Sequence, residues 1–251
     1  VAISAITGTV NRAYAIADHY RKKGVCVVIG GVHASLMPDE ALNHADAIVT
    51  GMAFETWPQL LLDFKNGTLK RHYDQSPQMN FSNLPLPRKD LLPKFSYISK
   101  NTIQATFGCP YKCDFCAVIS TQKKYLRRPV EDVIKEISEM NGNFVTFIDP
   151  SPMEDKKYIK RLLREMIPLK KMWGGLATVK IGDDEELMDL CAESGCKGLL
   201  IGFESVEQDA LVEINKGFNV VEKYRNLCTR LHERGIAING TFIFGMDSDT
   251  K

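Results

Sequence analysis

The sequence predicts an α/β protein in two parts: a partial doubly wound, Rossmann-like sheet, then a partial, TIM-like (β/α) barrel. Three observations predict it. Strand-like and helix-like segments alternate along almost all of the 251 residues. Runs such as Val25–Ile29 are β-branched with no polar alternation, as strands buried on both faces are. A proline-rich stretch with polar spacers (Pro77, Pro85, Pro87, Pro93) divides one alternation from the other.

In the first part, Val1–Ser4 reads as a short strand and Thr9 as the cap of a helix. The apolar positions Val10, Ala13, Tyr14 and Ala17 of that helix recur at helical spacing, and Gly24 stops it. Val25–Ile29 is the second strand, closed by Gly30-Gly31. A short helix follows Pro38, a third strand covers Ala47–Val49 and ends at Gly51, and a helix spans about Thr56–Phe64. This βαβαβα order predicts a domain over residues 1–66. Residues 67–100 read as a linker, long for a loop inside one domain.

From residue 101 the alternation resumes as repeated βα units. Strands are expected at Ile103–Phe107, Phe144–Ile148, Trp173–Ala177, Gly198–Phe203 and Ile236–Phe244. Helices are expected at Val130–Met140, Asp155–Ile167, Asp184–Ser194, Val206–Ile214 and Val220–Arg234. Asp183 or Asp184 serves as an N-cap, and Gly195 and Gly235 as stops. Residues 101–251 fall short of the ~250 that a closed eight-unit barrel takes, so an incomplete barrel is expected. The chain reads as a piece lacking both termini, since it opens and closes on strands.

Composition excludes several classes of function. Apolar residues are 44% and charged residues 25%, ordinary for a globular protein. Net charge is +1 with no basic stripe among aromatics, so no nucleic-acid partner is expected. No run approaches the ~20 apolar residues of a membrane span. Seven cysteines, an odd number with three clustered, suit a metal site in a reducing compartment such as the cytoplasm. Cys26, Cys191 and Cys228 fall at apolar positions and read as buried small hydrophobes. Lys123-Lys124 and Arg127-Arg128 read as a solvated loop.

The clustered cysteines form Cys109-Pro-Tyr-Lys-Cys113-Asp-Phe-Cys116, directly after the strand expected at Ile103–Phe107. Catalytic groups of βα barrels lie at the C-terminal ends of strands. Gly108 and Pro110 make a turn that can aim the three thiolates at one centre. Thiolates bind zinc or iron–sulfur clusters. Structural zinc wants a fourth ligand, and none lies close in sequence. Three thiolates on a four-iron cluster leave one iron open to a small molecule. From the residues alone, both metals stand.

Cys-x-x-x-Cys-x-x-Cys with the aromatic Phe115 before the last cysteine resembles the signature of the radical S-adenosylmethionine (SAM) superfamily. The resemblance implies a 4Fe–4S cluster on Cys109, Cys113 and Cys116, with SAM on the open iron. SAM would be cleaved reductively to methionine and a 5′-deoxyadenosyl radical. Gly202-Phe203-Glu204-Ser205 resembles the family's fourth-strand segment, which implies SAM contacts for Glu204 and Ser205. Gly240-Thr-Phe-Ile-Phe-Gly245 resembles the fifth-strand segment behind the adenine. The second strand usually leads into a Gly-Gly-Glu segment; here it leads into Asp149-Pro150-Ser151, and Asp149 is the candidate for the SAM amino group.

Three N-terminal features follow strands in order: Ser4-x-Ile6, then Gly30-Gly31-Val32-His33, then Ala45-Asp46 with Gly51. Glycines at the C-terminal edge of a doubly wound sheet let a ligand approach closely, although a Gly-Gly turn by itself is usually only a turn. The order resembles cobalamin-binding domains fused to radical SAM enzymes. It implies a cobalamin pocket lined by Ser4, Ile6, Gly30, Gly31, Val32, His33 and Gly51. His33 reads as a pocket-wall or hydrogen-bonding residue rather than a cobalt ligand.

The resemblance thus implies an enzyme that cleaves SAM, uses cobalamin and methylates an unactivated carbon. It also implies an external flavodoxin- or ferredoxin-type electron donor and a small-molecule or lipid-like substrate. A radical cyclase of the same family and a non-catalytic zinc or cluster scaffold are the alternatives.

Overall fold

Four short strands near the N-terminus lie side by side and parallel in the order β1 (Ala2–Ser4), β2 (Val28–Gly30), β3 (Ala47–Thr50) and β4 (His72–Asp74). They belong to the computed structural model of the chain, which describes residues 1–75, 79, 81–82, 84–93, 99–121 and 124–249. The chain divides into two units, Val1–Asn80 with Ser120–Lys123, and Phe81–Ile119 with Lys124–Lys251.

In the first unit, side-chain alternation along the strands builds two apolar layers. Ile29 and Ile48 face α1 (Val10–Arg21), α2 (Val32–Leu36) and α3 (Pro38–Asn43) through Val10, Tyr14, Ala17, Ala34 and Ala41. Val28, Ala47, Val49 and Tyr73 face α4 (Thr56–Lys65) through Leu60 and Trp57. Both faces of the sheet are therefore covered, which explains the unbroken apolar strands. Thr9 makes no side-chain cap to α1; its hydroxyl donates back to Ile6 O (3.2 Å). Asp46 steadies the start of β2 by accepting from Val27 N–H (2.8 Å).

The expected linker is corrected at its start. β4 lies inside residues 67–100 and pairs with β3 because Tyr73 is buried there, its hydroxyl donating to Asp63 of α4 (2.9 Å). Pro77 and residues 94–98 of the linker, with Lys123 of the basic loop, lie outside the described residues.

The second unit carries a five-stranded parallel sheet in the order β11-β10-β9-β8-β5. Its strands are β5 (Thr102–Ile103), β8 (Phe144–Phe147), β9 (Met172–Ala177), β10 (Cys196–Glu204) and β11 (Ala237–Phe242). Neighbours in space are successive βα units in sequence, as in a barrel wall. A separate antiparallel pair joins β6 (Thr106–Phe107) to β7 (Leu126–Arg127). The short helix α5 (Val118–Thr121) follows β6 in the chain. Helices α6 (Val130–Glu139), α7 (Lys156–Met166), α8 (Glu185–Glu193), α9 (Gln208–Glu213) and α10 (Tyr224–Glu233) fill the crossovers. Asp155 and Asp184 cap α7 and α8, accepting from Tyr158 N–H (2.9 Å) and Leu187 N–H (3.0 Å). The core runs through Ile137, Leu162, Met166, Trp173, Met188 and Leu199.

Three sequence expectations change here. The strand expected at Ile103–Phe107 is two, β5 and β6, because residues 104–105 leave the sheet. Arg127 lies in β7, and Arg128 is buried with its guanidinium on Glu136 (2.9 Å), so that pair is not a solvated loop. Cys191 is buried as expected, but Cys26 and Cys228 are only partly so. No helix among the described residues is long and apolar enough to cross a membrane.

Candidate functional site

The cysteine loop begins where the first strand of the sheet bends. Gln104 and Ala105 sit at the bend, and their carbonyls accept from Arg128: its guanidinium reaches Gln104 O (3.0 Å) and its backbone N–H reaches Ala105 O (2.9 Å). From the other side, Asp149 Oδ1 accepts from the N–H of Ala105 (2.9 Å) and from both the N–H and the hydroxyl of Thr106. The chain then runs through β6 into Gly108, whose φ of +76° opens the turn to Cys109.

Asp149 is fully buried, and its Oδ2 has no hydrogen-bond partner among the described residues. Burial pushes its carboxyl up to about 6, against the pull of the Thr106 and Ala105 donors. The structure thus places the expected SAM residue inside the protein, where it holds the bend that launches the loop.

A carboxylate that the sequence reading passed over stands nearer the cysteines. Glu154 gathers hydroxyls from three successive β-to-α connections: Tyr111 of the cysteine loop, Ser151 (3.0 Å) and Thr178 (3.0 Å). Tyr111 stacks on Phe218 with centroids 4.2 Å apart, and the Lys180 ammonium lies 4.8 Å from the Tyr111 centroid. The available signal was Glu154 three residues after Ser151, beyond the second barrel strand.

Cys113 is buried, and Cys109 and Cys116 are partly so; all seven cysteines are free. Cys116 N–H donates to Cys113 O (3.0 Å), which folds the loop back on itself. The three sulfurs interact electrostatically. Burial pushes the Cys109 and Cys113 thiols above their ordinary value, while the Lys216 ammonium draws Cys113 back down. Thiolate ligation here therefore needs a cationic centre to displace the protons. Among the described residues no three His, Cys, Asp or Glu side chains already close on one metal position. The loop supplies three thiols of the right chemistry for a cluster.

Glu204 ends β10 with φ +66°, where the pairing with β11 slips between Gly202 and Glu204. Such an irregularity re-aims a side chain. Glu204 Oε1 accepts from Lys216 Nζ (2.7 Å), and both side chains are nine-tenths buried. Lys216 Nζ lies 5.7 Å from the centroid of Phe115, a residue 47% exposed. A Cβ on Gly202 would sit 2.3 Å from Glu204 Oε1, so a side chain there would have to displace the carboxylate from its present position. Ser205 is buried and its hydroxyl accepts from Glu207 N–H (3.0 Å). Gly240 packs under the Phe203 ring, where a Cβ would come within 3.0 Å, and Gly245 has φ +92°. Among the residues expected to contact SAM, the structure groups Phe115 with Glu204 through Lys216, and Gly240 with Phe203 beside Glu204.

In the first unit, the expected pocket residues gather along the C-terminal edge of the sheet. Ser4 pairs with Gly30, and the missing Cβ of Gly31 would lie 2.7 Å from Ser4 Oγ. His33 N–H donates to Ala5 O (3.1 Å). Ser35, absent from the sequence reading, joins the next loop: its hydroxyl donates to Gly31 O (2.9 Å) and accepts from Gly51 N–H (3.0 Å). Gly51 has φ +78°, with Gln75 packed where its Cβ would be. Ile6 and Val32 remain 57% and 39% exposed on this backbone-lined edge. The His33 ring is buried between Thr7 Oγ1 (3.1 Å) and Glu40 Oε1 (3.4 Å), with both nitrogens engaged.

Residues 103–251, more than half of the chain, match the sequence profile of the Radical SAM superfamily. The chain belongs to that superfamily. Its relatives include bacteriochlorophyllide d C-12(1)-methyltransferase of Chlorobaculum tepidum, 31% identical over 100% of this chain and 58% of that protein. Bacteriochlorophyllide d C-8(2)-methyltransferase of the same organism is 32% identical over 100% of this chain and 60% of that one. The chain therefore spans roughly three fifths of these relatives' lengths. In fold it is similar to the radical SAM methyltransferase TsrM from Kitasatospora setae, solved with cobalamin and a 4Fe–4S cluster bound. That likeness has a TM-score of 0.75 at 18% identity, over 100% of this chain and 59% of that one.

Proposed function

We propose that this chain is the cofactor-binding part of a cobalamin-dependent radical SAM enzyme that methylates an unactivated carbon. The observation that carries the reading is the three-thiol loop that follows β6, just beyond the first strand of a parallel βα sheet, with Glu204 at the C-terminal end of a strand in that sheet. The methyltransferase names of the relatives support methyl transfer over cyclisation.

Cys109, Cys113 and Cys116 would hold a 4Fe–4S cluster. When bound, the cluster supplies the electron that cleaves SAM and cobalamin supplies the methyl group. The chain's own residues position these partners. Phe115 presents an exposed ring beside the thiols. Glu204 offers a buried carboxylate for a SAM hydrogen-bond donor, with Ser205 beside it. Gly245 leaves backbone open beyond β11, while Gly240 lets the Phe203 ring pack against that strand beside Glu204. On the first unit, Ser4, Ile6, Gly30, Gly31, Val32, His33 and Gly51 would meet cobalamin. The exposed Ile6 and Val32 side chains flank glycines there, which suits a broad, partly apolar ligand. The same reading assigns an external flavodoxin- or ferredoxin-type donor, a small-molecule or lipid-like substrate, and the reducing cytoplasm.

Anaerobic reconstitution with iron and sulfide tests it. Brown absorbance with about four irons per chain, and SAM cleavage on reduction, are expected. Stoichiometric zinc in place of iron overturns it. Retention of cobalamin through gel filtration tests the N-terminal assignment, and its loss removes cobalamin from the proposal.

A further inference from the structure

One short segment, residues 214–218, touches four of the five residues that lie between the cluster cysteines. Ile214 O accepts from Asp114 N–H (3.2 Å). Asn215 Nδ2 donates to Lys112 O (2.9 Å), from a left-handed backbone at φ +57°. Lys216 Nζ stands 5.7 Å from the Phe115 centroid, and the Phe218 ring stacks on Tyr111 at 4.2 Å. The segment is itself anchored to the end of β10. Lys216 binds Glu204, and the buried Asn219 donates to Gly202 O and Phe203 O, 3.0 Å each.

We propose that residues 214–218 form a clasp that registers the cysteine loop on the end of β10, and that Lys216 sets the charge felt by the cluster. The inference rests on the cluster assignment above. Lys216 is a positioning residue in this scheme, and it touches no reacting atom. Its ammonium binds a buried carboxylate and stands 5.7 Å from the Phe115 centroid of the three-thiolate loop, so it offsets negative charge from both. Reduction adds one more negative charge to the cluster. A fixed buried cation nearby stabilises the reduced state, and a fixed buried carboxylate opposes it.

The test compares wild type, Lys216→Met, Lys216→Arg, Glu204→Gln and Asn215→Ala after anaerobic reconstitution. Iron and sulfide are counted, and the cluster midpoint potential is read by redox titration with EPR. Lys216→Met should disfavour reduction about tenfold, a fall of about 59 mV for one electron. Lys216→Arg should restore most of it. Glu204→Gln should move the potential the opposite way, and loosening of the fold does not produce shifts of opposite sign. Asn215→Ala should lower iron per chain by about half or more under limiting iron, with no change in the sign of charge near the cluster. Lys216→Met leaves Glu204 buried and unpaired. If it fails to fold, the double variant Glu204→Gln/Lys216→Met removes that unpaired charge, and its potential should return toward wild type. Wild type that binds the cluster, with unchanged potentials in both Lys216→Met and Glu204→Gln, overturns the inference and leaves the cluster assignment standing. Wild type that binds no cluster overturns the cluster assignment instead.

Discussion

Asp149 and Thr106 are joined twice, through the Thr106 backbone N–H and through its hydroxyl (2.8 Å). Ala105 adds a third donor to the same oxygen (2.9 Å). One carboxylate thus fixes the step at which the chain leaves the parallel sheet and turns toward the cysteines.

Replacing Asp149 by Ala strands these buried donors. The expected loss is about 2–5 kcal/mol in unfolding free energy, since each unsatisfied buried group costs about 1–3 kcal/mol. Asn keeps an acceptor oxygen and should lose less. Urea midpoints of the two variants check this, and an Ala variant as stable as wild type would refute the role.

The same residue predicts a pH dependence. Its folded carboxyl is raised to about 6, above the usual carboxylate range, so the native state keeps a proton that the unfolded chain releases. Its contribution to stability is therefore greatest at acid pH and declines as pH rises from about 4 to about 6, by about 3 kcal/mol. Unfolding curves across that window, wild type against Asp149→Asn, should differ in slope. Parallel curves would show that Asp149 does not titrate in this range.

Gly31 predicts a defect in the first unit. With φ +94° and a virtual Cβ 2.7–2.9 Å from Ser4 Oγ and the Ala5 backbone, any side chain must push the two loops apart. Gly31→Ala should destabilise by about 1–3 kcal/mol and weaken cobalamin retention. A variant with wild-type retention would separate the glycine edge from that ligand.

Cys113→Ala removes the cysteine whose residue is the least exposed of the three. Iron content after reconstitution should fall to background, with secondary structure by circular dichroism unchanged. A full complement of iron in this variant would move the cluster elsewhere.

Much of the fold was legible because its signals are local. Unbroken β-branched runs announced strands covered on both faces, and Asp184, Gly195 and Gly235 marked helix ends that the structure keeps. The cysteine spacing was legible for the same reason. What escaped depends on partners far along the chain. Nothing near Asp149 in sequence says that its oxygen is taken by residues 105 and 106. Nothing near Tyr73 says that it completes a sheet with a buried hydroxyl on Asp63. Ser35 and Glu154 are ordinary polar residues until two loops meet at the first and three at the second. Nothing local to Lys216 announces its tie to Glu204, twelve residues away, which is visible only in three dimensions.

The clasp has a consequence for biosynthesis. Asn215 holds Lys112 across 103 residues of chain. A ribosome adding about 5–20 residues per second leaves the cysteine loop exposed for about 5–20 s before its partner segment exists. During that interval Tyr111 can reach Glu154 once residue 154 has been made, but Lys112 still lacks Asn215. On the proposed cluster assignment, loading of iron and sulfide is expected to follow the emergence of residue 219, when the clasp partner exists.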